Sequence, residues 1–169
     1  MNWNYQELLP AHFADSSRVW IYQSSRPFAI SEAIQLEDML ANFTASWLSH
    51  GAPVKAYGNL FFGRFIVLMA DESATTVGGC STDSSVRFIK EVEGRFGVSL
   101  FDRQSLTFVV KDKIESLPLP QLQYAVDNGF LNADTIYFNN LVGTKKELEN
   151  NWMIPVKESW LAKRLQLAI

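Results

Sequence analysis

The chain has 169 residues, of which 47% are hydrophobic and 20% charged, and its net charge is −3. A chain of this length and balance buries its own core without a metal or disulfide staple. One cysteine and two histidines exclude an internal disulfide and a structural zinc cluster, and 15 basic against 18 acidic residues leave no field for a nucleic-acid backbone.

The opening residues, "MNWNYQELLP", lack the basic and apolar regions of a secretory signal. The longest apolar run, "FIVLMA" at 65–70, falls far short of the roughly 20 residues of a membrane helix. The expectation is a cytoplasmic, soluble protein of one domain, without metal, cofactor, nucleic acid or membrane.

Arg18 to Gln23, "RVWIYQ", reads as a strand, closed by "SSRPF". A helix is predicted next, with Ser31 as N-cap and Glu32 in the first turn. Leu36, Leu40, Phe43 and Trp47 form its apolar stripe, widened by Ala33 and Met39. "SHGAP" ends it, and His50 is placed at the helix C-terminus, where a cation is favoured. "VKAYGNLFF" and "RFIVLMAD" read as a hairpin turning near Gly63, its second strand buried on both faces. After the loop "ESATTVGGCST", a second helix is predicted with Asp83 or Thr82 capping its start and Gly97 fitting its end, and with Val86, Ile89, Val92 and Phe96 inward. "SLTFVVK" at 105–111 is a further strand.

The order strand, helix, strand, strand, helix, strand is that of a ferredoxin-like α+β sandwich, βαββαβ, over about residues 17–111. A three-layer α/β arrangement is the alternative. Residues 112–169 read as an α/β extension. It holds a helix at 120–128, a strand at 135–139, a capping-box spacing at Thr144 and Glu147, and a terminal helix after Pro155. That last helix, "KESWLAKRL", carries Lys157, Lys163 and Arg164 outward, and either packs on its own sheet or meets a partner.

The candidate site is "GGCSTDSS", 78–85. Gly78 and Gly79 allow close backbone approach. Ser81, Thr82, Ser84 and Ser85 carry hydroxyls, and Arg87 follows within a turn. A helix start offers free N–H groups and a positive dipole end, so these residues suit a small anion or metabolite. Cys80 is the candidate nucleophile of an alternative, enzymatic reading, since a helix N-terminus favours a thiolate. The same residues also suit a plain helix start with a buried cysteine. Asp71 and Glu72, where the buried strand meets the loop, are candidate acid–base or ligand groups, or salt-bridge partners of Arg64 or Arg87. Arg26 is a candidate anion ligand or ion-pair donor, and His12 and His50 are the only histidines available to a Cys–His pair.

Two named motifs fail on spacing. Cysteine phosphatases place five residues between Cys and Arg, whereas six separate Cys80 from Arg87. The nearest string to a nucleotide P-loop, "GNLFFGRF" at 58–65, lacks its Lys and Ser/Thr.

The strings "VWIYQSSRPF", "GRFIVLMADE", "GCSTDSSVRFIKE" with "FGVSLFDR", and "FNNLVGTKKELE" with "PVKESW" resemble an uncharacterised family of small bacterial proteins often labelled ABC transporter ATPases. The resemblance spans most of residues 18–161. It implies a bacterial, cytoplasmic protein and supplies no catalytic residues. The leading functional expectation is a non-catalytic binding or interaction protein, with a homodimer or other structural subunit as a further alternative.

Overall fold

The computed structural model describes residues 1–168. The chain is α+β, with antiparallel pairing in each of its sheets. It divides into two compact units: the first holds Tyr5–Asp102 and Leu141–Leu148, and the second holds Met1–Asn4, Arg103–Asn140 and the chain from Glu149 onward.

The first unit begins with a 3-10 turn, Tyr5–Leu8, and then runs β1 (Arg18–Gln23), α1 (Ile30–Ser46), β2 (Leu48–Ser49), β3 (Ala52–Pro53), β4 (Lys55–Phe61), β5 (Phe65–Asp71) and α2 (Gly79–Phe96). Its main sheet has the order β1-β5-β4. The hairpin at 55–71 forms as its pattern predicts, turning through Phe62 and Gly63 with φ of 55° and 64°. The Gly58–Phe65 string is therefore a strand pair, not a phosphate loop. Every residue of β5 is buried, so its run of six apolar residues followed by Asp71 belongs to a central strand.

One face of this sheet carries both helices. Leu36 and Leu40 of α1 and Phe88, Ile89, Val92 and Phe96 of α2 pack with Tyr22 of β1 and Ile66 and Leu68 of β5. Leu36, Leu40, Ile89 and Val92 are essentially sealed from solvent, and each contributes about 1.5–3 kcal/mol by burial. Gly58 lets α1 approach β4: a Cβ there would stand 3.2 Å from both Leu68 Cδ2 and Thr44 Cγ2. The other face meets the N-terminal segment, where the Tyr57 hydroxyl donates to the Leu8 carbonyl and the Phe13 ring meets the Tyr57 ring edge-on.

The expected ferredoxin-like core needs a fourth strand in this sheet, whereas the sheet has three. The strand expected in that place, 105–110, forms but belongs to the second unit. The outer edge of β1 instead receives residues 143–145. Val19 N–H donates to the Gly143 carbonyl, Lys145 N–H donates to the Ser17 carbonyl, and Arg18 bridges Thr144 antiparallel. A short returning segment thus satisfies edge groups that the fourth strand would have paired.

The second unit holds β6 (Ser105–Val110), β7 (Lys113–Pro118), α3 (Leu122–Asp127), β8 (Ile136–Phe138) and β9 (Met153–Pro155), in a sheet of order β7-β6-β8-β9. The helix α4 (Lys145–Asn151) begins among residues of the first unit and ends among those of the second. Phe108, Leu122, Ala125, Leu131, Tyr137, Val156, Leu161 and Leu165 form the second unit's own core. The tail expected as one helix is two 3-10 turns, Val156–Glu158 and Trp160–Lys163, whose Val156 and Leu161 belong to that core. Among the described residues no helix is long and apolar enough to cross a membrane.

Candidate functional site

The α2 start differs from the sequence expectation in one decisive way. The helix begins at Gly79, and its N-cap is Gly78 rather than Thr82 or Asp83. Ser-rich runs ordinarily favour turns because their hydroxyls compete for backbone groups. Here the hydroxyls bond back along the helix. Thr82 Oγ1 donates to the Gly78 carbonyl at 3.0 Å, Ser84 Oγ to that of Ser81 at 2.8 Å, and Ser85 Oγ to that of Thr82 at 2.6 Å. This i−3 and i−4 bonding is compatible with a helix.

Ser81 and Ser85 are buried, and the inward face includes Phe88 while Val86 is only half-buried. Ser81 Oγ donates to the Leu48 carbonyl, and Trp47 Nε1 donates to the Ser81 carbonyl at 2.9 Å. The four hydroxyl protons of 81–85 are therefore directed to carbonyls rather than toward a ligand. The N–H groups of Gly79, Cys80 and Ser81 are those that a helix start leaves without an intrahelical acceptor. Cys80 is exposed, and among the described residues its Sγ makes no hydrogen bond. The nucleophilic reading thus has an accessible sulfur but no base bonded to it.

His50 is not at a helix C-terminus. Helix α1 ends at Ser46, and His50 turns the β2–β3 hairpin with φ 51°, followed by Gly51 at 78°. Its ring lies beside Gly78, at the opposite kind of helix end. Ser31 is not the α1 cap either: the N-cap is Ala29, whose N–H donates to Glu32 Oε1 at 2.8 Å.

Asp71 and Glu72 close the loop that leads to α2. The buried Asp71 carboxylate accepts the N–H and hydroxyl of Ser73 and the N–H of Ala14, and lies 3.4 Å from Lys55 Nζ. These bonds, the Ser73 hydroxyl first, hold its pKa well below the ordinary carboxylate range. Glu72 pairs with Arg18 at 3.3 Å and accepts the Val77 N–H. Their cationic partners are Lys55 and Arg18, not Arg64 or Arg87. Arg26 is likewise engaged. It makes a two-pronged bond to Glu32 at 2.8 and 2.9 Å and donates to the Phe96 carbonyl, joining the start of α1 to the end of α2. Arg26 foremost, with the Ala29 N–H, lowers the Glu32 pKa to about 2.

Two of the expected site residues, Ser84 and Arg87, line a groove of about 760 Å³ between α1 and α2. The groove also takes Phe43, Trp47 and Phe88, with Asn42 and Glu91 among its polar groups. Phe43 and Phe88 stack with centroids 4.5 Å apart and planes 14° from parallel. Arg87 is exposed and has no ion-pair partner among the described residues; Glu91, one turn on, has none either. Sequence reading missed this groove because Asn42 reads as part of a wet helix face and Phe43 as core. The available signal was Phe43 with Met39, which widen the apolar stripe of α1 beyond the fully buried Leu36 and Leu40.

Comparison with protein-family profiles, curated proteins and solved structures finds no match for this chain. Among the described residues, no group of three or more His, Cys, Asp or Glu side chains is arranged to hold a metal ion.

Proposed function

We propose that the chain is a non-catalytic binding protein whose ligand is a small molecule with an apolar body and one anionic group, held in the groove between α1 and α2. The observation that carries this reading is an arginine without an ion-pair partner among the described residues, Arg87, lining a groove that also includes the stacked rings of Phe43 and Phe88. An arginine presents fixed donors to a carboxylate or phosphate, and aromatic walls take up a ligand's apolar part. Glu91 on the same groove disfavours a polyanion, so a single anionic group fits best. Of the Gly78–Ser85 loop, this reading keeps Ser84 as a lining residue.

The test is a titration of ¹⁵N-labelled protein with 3-phenylpropionate as the probe. Saturable shifts at Phe43, Ser84, Arg87 and Phe88 that vanish in Arg87→Ala and weaken in Phe43→Ala support the groove. Shifts confined to Gly79, Cys80 and Ser81 that survive Arg87→Ala move the site to the helix start. No saturable shift below about 10 mM removes this ligand class.

A further inference from the structure

The second unit carries a cleft of about 610 Å³ that the groove reading does not use, with Pro120 and Trp160 among its walls and Lys163 and Arg164 at its edge. We propose that this cleft is a separate binding site for an anionic group attached to a planar ring.

The argument starts from the 3-10 turn Trp160–Lys163. In a 3-10 helix residues three apart eclipse one another, so Lys163 stands over the same side as Trp160, and Arg164 follows directly. Ser159 fixes the start of the turn by accepting the Leu161 N–H. Leu161 and Leu165 are drawn into the core, and this leaves the two cations outside. The indole is oriented at its polar edge, where Nε1 donates to the Tyr137 hydroxyl at 3.1 Å. Trp160 nevertheless stays 39% exposed, and an exposed tryptophan held in one orientation is a stacking surface.

Charge decides the ligand class. Among the described residues the cleft lining includes two cations and no carboxylate side chain, in a chain whose net charge is −3. The third basic residue of the tail, Lys157, is paired with Asp134 at 2.7 Å, whereas Lys163 and Arg164 have no ion-pair partner among the described residues. Gln123 is occupied as well, by Asp127 and by both the N–H and carbonyl of Gln166. The groups left to a ligand are a ring face and two cations, which match a planar ring bearing a phosphate or carboxylate.

The experiment is an NMR titration of the full chain with AMP, read at the Trp160 indole N–H and at the backbone of 119–123 and 160–165. Adenosine and ribose 5-phosphate serve as ring-only and anion-only arms. The expected result is saturable AMP binding at these positions, weaker by about tenfold or more for either fragment and for the Lys163→Ala/Arg164→Ala variant. Arg87→Ala leaves it unchanged, which separates this site from the groove. Absence of saturable shifts below about 10 mM, or AMP binding unaltered in the double variant, overturns the proposal. Ribose 5-phosphate binding as tightly as AMP overturns the ring half of it. Both replaced side chains are exposed, and an otherwise unchanged amide spectrum verifies that the variant is folded.

Discussion

The His50 ring sits against the backbone of Gly78, so closely that a Cβ on Gly78 would stand 3.0 Å from Nε2. The hairpin β2–β3 thereby meets the first turn of α2 where only a hydrogen fits comfortably. Gly78 has φ −86° and ψ −177°, which any residue adopts, so a substitution there meets a steric rather than a torsional obstacle. Alanine is also a poorer N-cap than glycine. Gly78→Ala is expected to cost about 1 kcal/mol in urea unfolding, and less in a His50→Ala background. Equal costs in both backgrounds would show that the two residues are not coupled.

Acid sensitivity follows from two carboxylates. Both Glu32 and Asp71 are depressed in the folded state, Glu32 to about 2 and Asp71 well below the ordinary range. A depressed carboxylate stabilises fully above its unfolded pKa and loses that contribution as pH falls. For Glu32 the loss runs from about 4.5 down to about 2. Thermal stability should therefore fall on acidification below about pH 5. Glu32→Gln and Asp71→Asn should begin lower at neutral pH and fall less steeply. Curves parallel to wild type would contradict this assignment. Asp71→Ala, which removes a buried charged acceptor of three donor groups, should cost about 3 kcal/mol at pH 7.

Gly58 is the second position where a hydrogen matters. Leu68 Cδ2, Thr44 Cγ2 and Leu40 Cδ2 all stand 3.2–3.3 Å from where its Cβ would be. Gly58→Ala forces α1 away from β4 or moves these side chains, and overpacking of this kind costs about 1–3 kcal/mol. Urea unfolding measures it, and an unchanged midpoint would mean the contact yields freely.

Local pattern and non-local pairing differ in how far the residues reveal them. Strand β1 and the β4–β5 hairpin are legible because β-branched and aromatic runs end at Pro27, at the Phe62–Gly63 turn and at the Asp71 loop. The Leu36 and Leu40 face of α1 is legible from its period. The partner of β1 is not. Thr144 reaches its edge from far along the chain, and only the assembled sheet shows that residues 143–145 meet that edge. The start of α2 is hidden in the sequence for a different reason. Serine propensity argues for a loop, but the i−3 and i−4 bonds of Thr82, Ser84 and Ser85 satisfy the hydroxyls within the helix. Moving that cap four or five residues back, to Gly78, changes which groups face a ligand. The later cap makes a hydroxyl cradle of 78–85 plausible and hides the role of Ser84 and Arg87 as lining of the inter-helix groove.

The two-residue turn of the β6–β7 hairpin places non-glycine residues in the left-handed region, Lys111 at φ 51° and Asp112 at 62°. Asp112 tolerates this and accepts the Trp3 indole N–H at 2.8 Å. Lys111 has the less suitable side chain, since such turns favour Asn at the first position. Lys111→Asn should stabilise by about 0.5 kcal/mol, read as a higher midpoint in urea with an unchanged slope. A lower midpoint would show that Lys111 contributes a contact beyond the turn.

Cys80 provides the most direct check on the α2 start. An exposed thiol in the first turn of a helix beginning at Gly79 is open to reagent in the folded protein. Iodoacetamide should modify one thiol per chain under native conditions, at a rate within about tenfold of that in denaturant. Cys80→Ser should leave the thermal midpoint nearly unchanged, because an exposed side chain without bonds contributes little to stability. It should also leave the groove's ligand response intact, whereas Arg87→Ala abolishes it. Native protection that disappears on unfolding would place the sulfur in the core and shift the helix register. The Ser84 and Arg87 positions on which the groove depends would shift with it.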